Sequence, residues 1–73
     1  MKITIESTTK LVEINGLPAR VWEGQTESGV ALTCFINLIE VRDDQDLSQF
    51  NRELTEQRAP SAAVKSLPLK MIL

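Results

Sequence analysis

The sequence predicts an α+β domain: a mostly antiparallel sheet of about five strands, ordered β-β-β-β-α-β, with one helix packed on one face. Three observations carry that expectation. Short segments alternate apolar and polar residues with the two-residue period of a strand. Asn15-Gly16 lies between two of them as a hairpin turn. A later segment, opened by Asp46, switches to helical spacing.

Lys2 to Glu6 alternates with β-branched residues and reads as the first strand, ended by the polar break Ser7-Thr8-Thr9. Lys10 to Ile14 reads as the second. Asn-Gly favours a type I′ turn, because both central residues must take positive φ. The register it implies sets Ile14 opposite Leu17, Val12 opposite Ala19 and Lys10 opposite Val21. Leu11, Glu13, Pro18, Arg20 and Trp22 then share the other face. Leu17 to Glu23 is the third strand and Val30 to Arg42 the fourth. The fourth is apolar on both faces, so it is expected at the centre of the sheet, with Asn37 as a bulge or bend.

Asp46 is a good N-cap and Gln49 completes a capping-box pattern. Leu47, Phe50 and Leu54 form a narrow apolar stripe, expected to bury the helix against the sheet, and Pro60 should stop it near Arg58 or Ala59. Ser61 to Ser66 suits one further helical turn. Leu67 to Leu73 alternates again and reads as a last, edge strand.

A chain of 73 residues makes one small domain, spanning 1–73. At that size only about 60–65% of the unfolded surface is buried, and the core contributes about 3–5 kcal/mol. Small domains usually add a disulfide, a metal or a partner subunit. Cys34 is the single cysteine and histidine is absent, which excludes an intrachain disulfide and a Cys/His zinc site. No cofactor is implied. A homo-oligomer, a dimer or higher, is therefore the expected staple, covering the second apolar face of Val30 to Val41.

The net charge of −2 has the wrong sign for nucleic-acid binding by bulk electrostatics. No apolar run suits a signal peptide or a membrane span, and a lone cysteine fits a reducing compartment, so a cytoplasmic location is expected.

GQTESG, Gly24 to Gly29, has two glycines at phosphate-loop spacing. A phosphate-binding loop needs Lys and Ser or Thr after the second glycine, and a helix behind them. Here Val30 and Ala31 follow and open a strand, so the segment reads as a polar hairpin connection with glycines supplying positive φ. Asp44, Asp46 and Ser48 resemble the start of a calcium loop, but Gln49 and Thr55 stand where glycine and glutamate are required. Those acids read instead as the approach to a helix N-terminus. Cys34 has no histidine to activate it and reads as a buried core residue. With neither His nor Tyr, and no carboxylate pair placed together, catalysis is not expected.

Two surfaces remain as partner-binding candidates. Arg20 and Trp22 share one strand face and are residue types enriched at interface hot spots. Trp22 as plain core is the competing reading. Asp43 and Asp44 offer an acidic edge for a basic partner.

N-G-L-P-A-R-V-W-E-G-Q-T-E-S-G, Asn15 to Gly29, resembles small uncharacterised accessory proteins of tailed bacteriophages and prophages. The closing P-S-A-A-V-K-S-L-P-L-K-M-I-L, Pro60 to Leu73, is similar to their usual ending. The resemblance covers nearly the whole chain and carries no site residue or activity with it. It implies a non-catalytic accessory protein in the host cytoplasm that binds and blocks a host protein, defence factors included. The alternatives are a binder that sequesters a small nucleotide-like ligand between subunits near Arg20 and Trp22, and a structural or assembly component of a phage particle.

Overall fold

The computed structural model describes residues 1–66 and the backbone of Lys70–Met71. It is an α+β arrangement of β1 (Ile3–Ile14), β2 (Leu17–Thr26), β3 (Ala31–Ile36), α1 (Leu47–Leu54), α2 (Ala62–Lys65) and β4 (Lys70–Met71). The sheet order is β3-β2-β1-β4. β1, β2 and β3 are antiparallel neighbours, and the two-residue β4 runs parallel to β1. The remainder of the expected last strand lies outside the described residues. Among those residues no helix is long and apolar enough to cross a membrane.

The Asn15-Gly16 turn forms as its chemistry requires, with φ of 51° and 83°, and Ile14–Leu17 and Val12–Ala19 pair as expected. Lys10 does not pair with Val21. The expected polar break is instead a bulge inside one continuous strand: the register moves between Ser7–Trp22 and Leu11–Arg20. Its extra residues find their partners locally. The Thr8 hydroxyl donates to the Val21 carbonyl at 2.7 Å, and the Lys10 N–H reaches that hydroxyl at 3.3 Å. Thr8 is fully buried.

The bulge also explains why α1 ends at Leu54 rather than near Pro60. The chain after it is drawn to the bulge as a parallel bridge between Thr8 and Arg58. The Arg58 N–H donates to the Ser7 carbonyl at 3.1 Å, and the Thr9 N–H to the Arg58 carbonyl at 3.0 Å. Backbone groups left over by a bulge need partners when they are buried, and residues that would have extended the helix supply them.

β3 is shorter than expected and lies at the sheet edge, not its centre. Asn37 makes a bend directly after it, so Leu38, Ile39 and Val41 leave the sheet and spend their apolar area elsewhere. Gly24 does not supply the expected turn. It lies within β2, where a Cβ would collide with the Thr4 carbonyl oxygen. Close approach of β1 is what requires glycine there. The turn itself is carried by Gly29, at φ +92°, with its N–H donating to the Thr26 carbonyl at 3.0 Å.

Among the described residues the core is small: Val12, Ala19 and Val21 on one sheet face, covered by Val64 of α2. Ile14 and Phe35 pack at its margin. Among the described residues one helical turn covers this face, while α1, expected to do so, buries none of its residues. Its stripe of Leu47, Phe50 and Leu54 is too narrow for an eight-residue helix to dock firmly. α2 is held in place by its cap: Ser61 accepts the Val64 N–H at 3.4 Å and donates its hydroxyl to Glu23 Oε1 at 2.5 Å. The Ser61 N–H donates to Glu23 Oε2 at 2.9 Å. Arg58 completes the cluster with ion pairs to Glu23 at 3.4 Å and Glu6 at 3.6 Å.

Candidate functional site

The second face of the sheet, carrying Leu11, Arg20, Trp22, Cys34 and Ile36, has the looser cover. Trp22 pairs with Cys34, and Arg20 with Ile36. Cys34 is not the core residue its apolar setting suggests; on this face of an edge strand it is only half-buried. The chain after the Asn37 bend folds back beside Trp22, and α1 follows. Arg20 and Trp22 form one wall of a cleft of about 230 Å³, and Leu38, Ile39, Phe50 and Leu54 border it. A wider groove of about 610 Å³ continues past Trp22 toward Ile5, Glu53 and Arg58.

Apart from Asn37, the lining is apolar around one guanidinium. Leu38 is 84% exposed, Ile39 43% and Leu54 42%, so the cleft opens to solvent along its length. Trp22 and Phe50 are half-buried. Arg20 also braces the bulge, because its Nη1 donates to the Thr8 carbonyl at 3.0 Å. The same bond fixes the direction of its side chain. Arg20 and Trp22, paired by their spacing on the strand, thus stand together.

Asp43 and Asp44 stand apart from them. They lie exposed in a turn closed by the Gln45 N–H donating to the Arg42 carbonyl at 3.1 Å. The Gln45 side-chain amide donates to Asp44 Oδ1 at 3.3 Å. Ile39 and Phe50 line both the Trp22 cleft and the depression beside this turn. Asp46, next along, is the N-cap of α1. Its carboxylate accepts the Ser48 hydroxyl at 2.6 Å and the Ser48 and Gln49 N–H groups at 3.0 and 3.2 Å. These bonds, the Ser48 hydroxyl first, hold its carboxyl below the usual aspartate range. The expected capping box is half formed, because the Gln49 side chain donates to Glu53 at 3.0 Å rather than turning back to the cap.

Leu38, Ile39, Phe50 and Leu54 are the cleft-lining residues that sequence patterning hides, since each fits a core pattern. The one signal of their exposure is the shortness of the α1 stripe. Among the described residues no three His, Cys, Asp or Glu side chains gather as a metal-binding group. No protein family, curated protein or solved structure matches the chain.

Proposed function

We propose that the chain is a non-catalytic binding protein that works as an oligomer and occludes a partner protein through the Trp22 cleft. The exposure of Leu38, Ile39 and Leu54 around Trp22 and Arg20 carries this reading. Large apolar side chains clustered in solvent beside an indole and a guanidinium are the composition of an interface hot spot. The resemblance to phage accessory proteins makes a host protein, defence factors included, the class of partner and the host cytoplasm the place of action.

A second reading rests on the guanidinium and indole sharing one wall of the cleft. A flat, nucleotide-like ligand would stack on Trp22 with Arg20 against its charge.

The test is capture from host lysate by the tagged protein, its Leu54→Asp variant and a variant with Asp43→Lys and Asp44→Lys. Loss with Leu54→Asp and retention with the double reversal supports the Trp22 cleft. The opposite pattern moves the site to the acidic edge. Native mass spectrometry of protein taken directly from cells decides the second reading, through a co-purifying small mass lost on Trp22→Ala.

A further inference from the structure

The proposed oligomer leaves open which surface joins the copies, and β3 supplies one. β3 is the outermost strand of the sheet. The Thr26 N–H donates to the Val30 carbonyl at 3.0 Å, which marks that pair as a hydrogen-bonded site of the antiparallel ladder. Counting along the register from there, Leu32, Cys34 and Ile36 turn their backbone N–H and C=O toward β2. Ala31, Thr33 and Phe35 turn theirs outward. A natural edge is usually guarded by a charge, a proline or a bulge. ALTCFI, Ala31 to Ile36, has none of these.

We propose that two copies of the chain pair edge to edge through β3, antiparallel, with the two-fold axis passing through Thr33. The proposal rests on the oligomer reading and names its interface. Centred on Thr33, the pairing sets Thr33 opposite its own copy and Ala31 opposite Phe35, so each outward N–H and C=O meets a partner. Moving the axis to Leu32 or Cys34 leaves part of that set unpaired.

The side chains match in the same register. On the core face the small Ala31 meets the large Phe35. On the Trp22 face Leu32 meets Cys34 and Val30 meets Ile36, all apolar. With no charge in the strand, a second copy brings no like-charge repulsion. A foreign strand would meet the same backbone groups, but only the copy brings this match of residue sizes by symmetry. The need is also present: among the described residues the core is Val12, Ala19, Val21 and Val64, small for an unstapled domain. Joined in this way, the two sheets become one, and the two Trp22 faces lie on the same side of it.

Light scattering of the whole protein at micromolar concentration should read twice the chain mass. Thr33→Pro removes an outward N–H that has no bond among the described residues, so it should halve that mass with an unchanged far-UV circular dichroism spectrum. Leu32→Cys should oxidise with the native Cys34 of the other copy to a covalent dimer, since directly opposed pairs come within disulfide reach. The parent protein should not, because its two Cys34 residues are diagonal neighbours. A monomeric parent overturns both this interface and the oligomer reading. A dimer that survives Thr33→Pro and fails to cross-link through Leu32→Cys overturns the interface alone. Cross-linking of the parent through Cys34 overturns the Thr33 axis. Should Thr33→Pro fail to fold, the Leu32→Cys result decides.

Discussion

The Thr8 hydroxyl donates to the Val21 carbonyl at 2.7 Å, from a side chain with no solvent exposure. This bond ties the bulge of β1 to the centre of β2. It also turns the Thr8 carbonyl toward Arg20, whose Nη1 lies 3.0 Å away. The bulge therefore connects the core to the Trp22 cleft, and its chemistry sets the direction of a candidate contact residue.

Thr8→Val keeps the shape and removes the donor, leaving the Val21 carbonyl and the Lys10 N–H without this partner. Burying unsatisfied groups costs about 1–3 kcal/mol, a large share of the stability of so small a domain. Thr8→Ser keeps the hydroxyl and should cost about 1 kcal/mol, near the value of one buried methyl group. Urea unfolding of the two variants checks the order. A Thr8→Val variant as stable as the parent, beside a destabilised Thr8→Ser, would mean that the methyl, not the hydroxyl, matters at this site.

Gly24→Ala and Gly29→Ala separate two reasons for glycine. At Gly24 the new Cβ meets the backbone of Thr4 and Ile5, and neither can move without parting β1 from β2. The expected loss is about 3 kcal/mol or more, the upper end for overpacking. At Gly29 nothing lies within 4 Å, so only the positive φ is strained, at about 1–2 kcal/mol. Thermal unfolding of both variants would reverse this ranking if β1 did not cross so close to Gly24.

Glu23 gives the fold an acid-sensitive contact. The Ser61 hydroxyl, then the Ser61 N–H, and more weakly the Arg58 guanidinium hold its carboxyl below the usual glutamate range. A folded-state value below the unfolded one stabilises the fold at pH above the unfolded value. That stabilisation is lost as pH falls through the folded value. The parent should therefore lose stability below about pH 4.3, the ordinary glutamate value. Glu23→Gln should flatten part of that fall. Ser61→Ala should do the same and cost about 1 kcal/mol at neutral pH through the lost cap of α2. An unchanged acid limb in both variants would show that other carboxylates govern it.

The parts of the fold that sequence made legible are those fixed by local chemistry. Asn15-Gly16 demands positive φ wherever it sits, Asp46 caps whichever helix follows it, and Ser61 to Ser66 suits a helical turn without outside help. Ser7-Thr8-Thr9 misleads because a polar run reads the same whether the chain leaves the sheet or bulges within it. What separates the cases is the Val21 carbonyl, brought there only by the hairpin. Gly24 misleads likewise, since its reason lies in Thr4, distant along the chain. The place of Val30 to Arg42 in the sheet depends on which strand pairs with which, and apolarity on both faces fits an edge strand beside a folded-back loop as well as a central one. At the candidate site, the sharing of a face by Arg20 and Trp22 followed from their spacing. Their neighbours across the cleft depend on the Asn37 bend.

For stability, the smaller of two apolar side chains should matter more than the larger. Phe50 looks like the anchor of the longer helix, but it is half-buried and α1 buries no residue. Phe50→Ala should cost about 1 kcal/mol, since full burial of such a side chain is worth only about 1.5–3. Val64 is 2% exposed against Val12, Ala19 and Val21. Val64→Ala removes two buried carbons and opens a cavity in the core, at about 2 kcal/mol or more. If partner capture depends on the Trp22 cleft, the effects on binding should run the other way. Phe50→Ala should weaken capture while the protein stays folded, because truncating a hot-spot residue costs about 2 kcal/mol or more of binding. Val64→Ala should leave the affinity of the folded fraction unchanged. Denaturation and binding titrations on the same two variants measure both orders. A Phe50→Ala variant more destabilised than Val64→Ala would place the dominant core under α1 and make the Trp22 face a packing surface rather than a contact.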